Sequence, residues 1–142
     1  MGKRRERHDL IRAIVRQDRI RTQRDLVEAL AKRGQECTQA TVSRDISEIG
    51  LRKVPEGVYV LAEDQHLHRM VTEVVISVIH TGNLVLVKTS PGTAQGVAAA
   101  MDRAELEGIL GSIAGDDTVL LITESEDAAI VLRERISKFR TD

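Results

Sequence analysis

Tryptophan is absent from this 142-residue chain, and Tyr59 and Phe139 are its only tyrosine and phenylalanine. Unpaired bases are held by stacking on aromatic platforms, so such a binder is excluded and any nucleic-acid target is expected to be a duplex. Cys37 is the only cysteine, which removes a disulfide framework and a thiolate metal cluster. No apolar run reaches membrane-spanning length and no secretory signal opens the chain, so a cytoplasmic protein with no membrane partner is expected. Catalytic constellations are missing too: no nucleophile with a nearby base, no phosphate-cradling glycine loop, no His/Cys set at metal-ligand spacing. His66 and His68 are close in sequence, but with His8 and His80 distant they read as solvated histidines. The expectation is a binding protein without a metal, not an enzyme.

Charge divides the chain. Residues 1–60 carry 14 basic against 9 acidic side chains and residues 61–142 carry 7 against 13, so the halves stand at +5 and −6. A basic front half points to a polyanion, and an acidic rear half to cations or to plain solubility.

In the front half, Lys3, Arg4, Arg5 and Arg7 lead into a helix with Leu10, Ile11, Ile14 and Val15 on one face. Thr22 caps a second helix, with Asp25 in the capping-box position, Leu26, Val27, Leu30 and Ala31 as its stripe, and Gly34 as its stop. Thr38 and Gly50 bound a third helix with Val42, Ile46 and Ile49 on one side and Ala40, Ser43, Arg44 and Ser47 on the other. Small residues let a helix sit deep in a major groove, where Arg44 can reach guanine acceptors or a phosphate. Leu51–Val54 and Val58–Leu61, joined through Pro55-Glu56-Gly57, read as a hairpin. Three helices and a hairpin form the winged helix-turn-helix pattern, with Arg52 and Lys53 on the wing where phosphates would pass. The alternative use of this fold is protein docking.

Residues 63–69 are polar and without strong periodicity, which makes them the expected linker between a winged helix-turn-helix over 1–62 and a second domain over 70–142. There, Val71–His80 and Leu84–Lys88 read as strands around a Gly82-Asn83 turn. Ser90 reads as the cap of a helix beginning at Pro91, with Ala94, Val97, Ala98 and Met101 facing a core. Gln95 and Asp102 share another side of it. Strands over Glu107–Ala114 and Thr118–Thr123 follow, then a helix capped by Ser125 with Ala129, Leu132, Ile136 and Phe139 inward. This order predicts an α+β domain with a mainly antiparallel four-stranded sheet and two helices. Two helices cover one face, yet Leu84–Val87 and Val119–Ile122 are apolar on both, so a partner subunit is expected on the other. Gly96 and Ala98-Ala99-Ala100 would allow another chain to come close.

Gly115-Asp116-Asp117 joins the last two strands. Adjacent carboxylates repel, and a guanidinium fork matches them well; Gln95 could orient such a ligand and Asp102 take a further positive group. Taken by itself the turn also reads as an exposed, solvated hairpin turn, and a carboxylate pair can hold magnesium or act as acid and base.

The stretches Thr38-Gln39-Ala40-Thr41-Val42-Ser43-Arg44-Asp45-Ile46, Thr89-Ser90-Pro91-Gly92-Thr93-Ala94-Gln95-Gly96 and Gly111-Ser112-Ile113-Ala114-Gly115-Asp116-Asp117-Thr118 occur in that order. In these the chain closely resembles the bacterial arginine repressor family, over nearly its whole length. The resemblance implies a transcriptional regulator of arginine-biosynthesis genes, with a winged helix that binds double-stranded operator DNA. It further implies a C-terminal domain that forms trimers and, stacked in pairs, hexamers, with L-arginine as corepressor between the trimers. Carried over by motif, Ser43 and Arg44 are the main base-reading positions with Gln39 and Thr41 beside them, and Gln95, Asp102, Asp116 and Asp117 are the arginine contacts. Two rivals remain: a winged-helix regulator answering to another amino acid or to none, and a small metabolic enzyme with an accessory helical domain.

Overall fold

The computed structural model describes residues 2–141 and divides into two compact units, meeting between Ala62 and Glu63. The first unit contains helices α1 (Gly2–Gln17), α2 (Gln23–Lys32) and α3 (Gln39–Ile49), followed by strands β1 (Leu51–Lys53) and β2 (Tyr59–Leu61). The helix ends follow from local chemistry. The Thr22 hydroxyl accepts from the Asp25 N–H while the Asp25 carboxylate accepts from the Thr22 N–H, closing a capping box. Thr38 caps α3 by accepting from the Thr41 N–H, and Gly50 ends it at φ +86°, a left-handed conformation that suits glycine.

Ile11 and Ile14 of α1, Leu26 and Leu30 of α2, Val42 and Ile49 of α3, and Leu51 and Leu61 of the hairpin form the core of this unit. Ala29, not the expected Ala31, is the buried alanine of α2. The strands pair antiparallel with Leu51 opposite Leu61, and the Tyr59 N–H donates to the Ile20 carbonyl, tying the hairpin to the segment between α1 and α2.

One side chain in this core is a carboxylate. Asp45 is only 1% exposed and lies on the packing side of α3. Arg7 donates to it from both Nε and Nη2, the latter at 2.9 Å, and His8 Nε2 lies 2.8 Å from its Oδ1. One turn on, Arg4 pairs with Glu48. The basic start of α1 is thus clamped lengthwise onto α3. His8, Asp45 and Glu48 offer ligand atoms within 4.8 Å of one another, but the arginines already neutralise both carboxylates.

The second unit begins with a departure from expectation. Residues 63–69, expected as a linker, are part of a helix, α4 (Ala62–Val74), and the strand expected from Val71 starts only at Val75. Leu67 and Val71, one helical turn apart, are buried with Met70 and Val74 packed beside them. Their i, i+3, i+4, i+7 spacing is helical, but the stripe runs directly into the apolar strand that follows, which hides where one element ends and the next begins. The unit therefore has three helices rather than two.

Strands β3 (Val75–Thr81), β4 (Leu84–Thr89), β5 (Ile109–Ala114) and β6 (Thr118–Thr123) form an antiparallel sheet in the order β3-β4-β6-β5. The two most apolar strands, β4 and β6, are central, as their two-sided hydrophobicity requires. Val85, Val87, Val119 and Leu121 point into the core with α4, α5 (Ala94–Ala104) and α6 (Glu126–Thr141). On the opposite face Leu84 pairs with Ile122 and Leu86 with Leu120, and Ile79 and Ile113 remain 52% and 65% exposed.

Helix α5 starts at Ala94, not at Pro91. Thr93 donates from both its N–H and its hydroxyl to the Ser90 carbonyl, so Ser90–Thr93 is a tight turn, with Gly92 at φ +80°. A β-carbon at Gly96 would stand 3.2 Å from Met70 Cε. The space there is already used by α4 of the same chain rather than kept for a second one.

Burial by itself pushes the Asp45 carboxyl up, but the hydrogen bonds and charges of Arg7 and His8 outweigh it and hold the group below its ordinary value of 3.8. A depressed carboxyl stabilises the fold above its unfolded pKa, and that contribution is lost as pH falls through the folded one. Asp45→Asn should cost about 3 kcal/mol at neutral pH, the low end for a broken buried pair because Arg7 keeps some access to water. The gap between variant and parent in urea unfolding should close progressively as pH drops below 3.8.

Candidate functional site

The structure presents two candidate surfaces, one on each unit. On the first, the exposed side of α3 carries Gln39, Ala40, Ser43, Arg44 and Ser47. Val42, Asp45 and Ile49 face inward, so the helix cannot turn to hide these residues. Among the described residues Arg44 has no ion-pair partner, and its neighbours on the face are one methyl group and two hydroxymethyl groups. The result is a narrow ridge with one long cation at its centre, a shape and charge suited to a groove lined with acceptors. Thr41 is half-buried, and its hydroxyl lies 3.0 Å from that of Thr38, within the helix cap.

Arg52 and Lys53 are both exposed on β1, but as successive strand residues they point to opposite faces of the hairpin. Lys53 stands 5.7 Å from the ring centre of its cross-strand neighbour Tyr59, a cation–π contact. Arg52 has no such engagement among the described residues. The basic start of α1 does not act as one surface either, since Arg4 and Arg7 turn to α3.

Asp45 is not among the site residues expected from sequence, although a signal is present. It follows Val42 by three positions on the apolar stripe, and a carboxylate there must find a cation inside the fold.

On the second unit, both aspartate carbonyls of the Gly115-Asp116-Asp117 turn accept tertiary hydrogen bonds. The Asp116 carbonyl accepts from the Gly92 and Ala94 N–H groups at 3.1 and 3.2 Å, and the Asp117 carbonyl accepts from the Thr89 N–H at 2.8 Å. These bonds fasten the start of α5 to the β5–β6 turn. They bring Gln95, in the first turn of α5, next to the two aspartates. Both carboxylates are left on the outside, Asp116 exposed and Asp117 half-exposed.

Asp117 already has partners. The Thr118 hydroxyl donates to its Oδ1 at 3.0 Å, and Lys88 Nζ lies 3.4 Å from its Oδ2. The Thr118 hydrogen bond first, and the Lys88 charge second, hold the Asp117 carboxyl below its usual range. Asp116 has no cation partner among the described residues. Asp102 shares an exposed stripe of α5 with Gln95 and Ala99, but it comes seven residues later, about 10 Å along the axis. Within one chain the structure brings Gln95, Asp116 and Asp117 together and leaves Asp102 apart. Cys37 belongs to neither surface; burial pushes its thiol pKa up, away from the reactive thiolate.

Comparison with known proteins covers both units. Residues 2–67 match the family described as arginine repressor, DNA binding domain, and residues 71–138 match arginine repressor, C-terminal domain. A Thermus thermophilus protein named arginine repressor is 43% identical over 148 residues, spanning 96% of this chain and 90% of its own. Its namesake from Staphylococcus haemolyticus is 41% identical over 146 residues, spanning 96% and 97%. Another, from Symbiobacterium thermophilum, is 44% identical over 133 residues, spanning 87% and 89%. No helix among the described residues is long and apolar enough to cross a membrane. With both units matched in order and relatives aligned along most of its length, the chain belongs to the arginine repressor family, a family of DNA-binding transcription regulators and not of enzymes.

Proposed function

We propose that this protein is a cytoplasmic, arginine-responsive repressor of the genes for arginine synthesis. The first unit acts as a winged helix-turn-helix on duplex operator DNA, and the second as the sensor and assembly domain. The observation that carries the reading is the exposed, arginine-centred ridge of α3, held in place by inward-facing Val42, Asp45 and Ile49. Such a ridge can enter a major groove with Ser43 and Arg44 at base edges and Gln39 beside them. Thr41 supports the helix start. Arg52 is the wing residue free to meet a phosphate, while Lys53 shares its charge with the Tyr59 ring.

The corepressor in this reading is L-arginine, held by Gln95, Asp116 and Asp117. Asp102 lies two turns along α5 from Gln95, so in this reading it takes the far end of the ligand or one held by a neighbouring protomer. The open sheet face, with Ile79, Leu86, Ile113 and Leu120, supplies an apolar surface for trimer formation, and arginine between stacked trimers would favour a hexamer. Arginine can raise operator affinity only through preferential binding to the DNA-competent assembly, and DNA must tighten arginine binding by the same factor.

Three measurements separate these layers. Operator affinity should rise when L-arginine is added, and sedimentation should shift toward the larger species; lysine, ornithine and citrulline should leave both unchanged. Equal affinity with and without arginine would remove the corepressor role. Arg44→Ala should weaken specific operator binding by about 1–3 kcal/mol in a mobility-shift titration while arginine binding stays intact. Asp117→Asn should show the opposite pattern, with a normal DNA head but a higher arginine requirement; an unchanged requirement would place the ligand elsewhere.

A further inference from the structure

Asp117 is not an empty acceptor, and its partner has no role in the sensing scheme so far. Lys88 is the fifth residue of β4, directly opposite Thr118 on β6, so strand register delivers its ammonium to the Asp-Asp turn. Lys88 Nζ stands 3.0 Å from the Thr118 hydroxyl and 3.4 Å from Asp117 Oδ2, and that hydroxyl is itself bonded to Asp117 Oδ1. The pair is half-exposed, with the two side chains 47% and 50% accessible. Lys88 shares the open sheet face with Leu84 and Leu86, which offer an ammonium nothing.

We propose that Lys88 is a resident counter-ion that L-arginine must displace from Asp117, and that it thereby sets the arginine concentration at which the protein responds. This inference rests on the ligand site proposed above. The two aspartates are unequal: Asp116 has no cation partner among the described residues, whereas Asp117 is paired before any ligand arrives. A guanidinium can dock first against Asp116 and then exchange with the ammonium at Asp117. The exchange is favourable because a planar fork makes two parallel hydrogen bonds to a carboxylate where an ammonium acts as a point charge. It is not free, because the tethered amine is always nearby and returns when the ligand leaves. Competition of this kind lowers the affinity of every ligand that needs Asp117 by one common factor, so Lys88 governs the threshold and not the choice of amino acid.

The test is calorimetric titration of the full-length protein with L-arginine in five forms: wild type, Lys88→Gln, Lys88→Arg, Asp117→Asn, and the Lys88→Gln/Asp117→Asn double variant. Lys88→Gln should bind arginine about 2- to 5-fold more tightly, the range for freeing one member of an exposed ion pair. Lys88→Arg should bind more weakly than wild type, because it replaces the competitor with a better one. The gain from Lys88→Gln should vanish in the Asp117→Asn background, where there is no pair to release. Unchanged or weaker binding by Lys88→Gln would overturn the inference, as would a gain that survives Asp117→Asn. Wild-type protein that binds no arginine would sink the ligand site itself and this inference with it. If wild type binds arginine through Asp117 and Lys88→Gln shows no gain, the counter-ion role alone falls.

Discussion

A carboxylate taken out of water must be matched by a cation, and this constraint shapes the first unit. There, Asp45 lies inside the packing face of α3 because Arg7 and His8 of α1 come to meet it. The requirement fixes how α1 crosses α3, and so fixes which side of α3 is left outward. The Arg44 ridge is a consequence of where the charge had to be paired.

In the second unit the carboxylates stay in water, Asp116 exposed and Asp117 half-exposed. The carbonyls of Asp116 and Asp117 accept from Gly92, Ala94 and Thr89, which fixes the backbone from which the two adjacent carboxylates project. Lys88 pairs with Asp117, and Asp116 has no cation partner among the described residues. The residual negative charge beside the first turn of α5 is the feature a cationic metabolite would complete. The two units thus differ in how their carboxylates are met: Asp45 is buried and paired from two sides, whereas Asp116 and Asp117 stand at the surface with Lys88 beside Asp117 alone.

Much of this was legible in the residue pattern. The capping box at Thr22, the αL glycine at Gly50, the hairpin around Gly57 and the two-sided apolar runs of β4 and β6 are local signals, and each produced its element. The misses have local causes as well. The α4 stripe, Leu67, Met70, Val71 and Val74, does follow helical spacing, but it runs without a break into the apolar strand from Val75, so its second half reads as strand. Pro91 has the backbone of a first helical residue, but tertiary hydrogen bonds from Gly92 and Ala94 to Asp116 hold that segment as a turn and delay the helix to Ala94. Gly96 looked like a place for another chain and is instead where Met70 packs.

Sequence alone determined what repeats over a few residues: helix faces, caps, turns, the charge split between the halves and the pair of aspartates at one turn. Those follow from backbone geometry and from side-chain spacing along the chain. Only the tertiary structure decided which charges meet. Arg7 reaches Asp45 across 38 positions, and Lys88 reaches Asp117 across 29. Such distances close only after helix packing and strand register are set, because the Coulomb energy of a pair depends on separation in space, about which spacing in sequence says nothing.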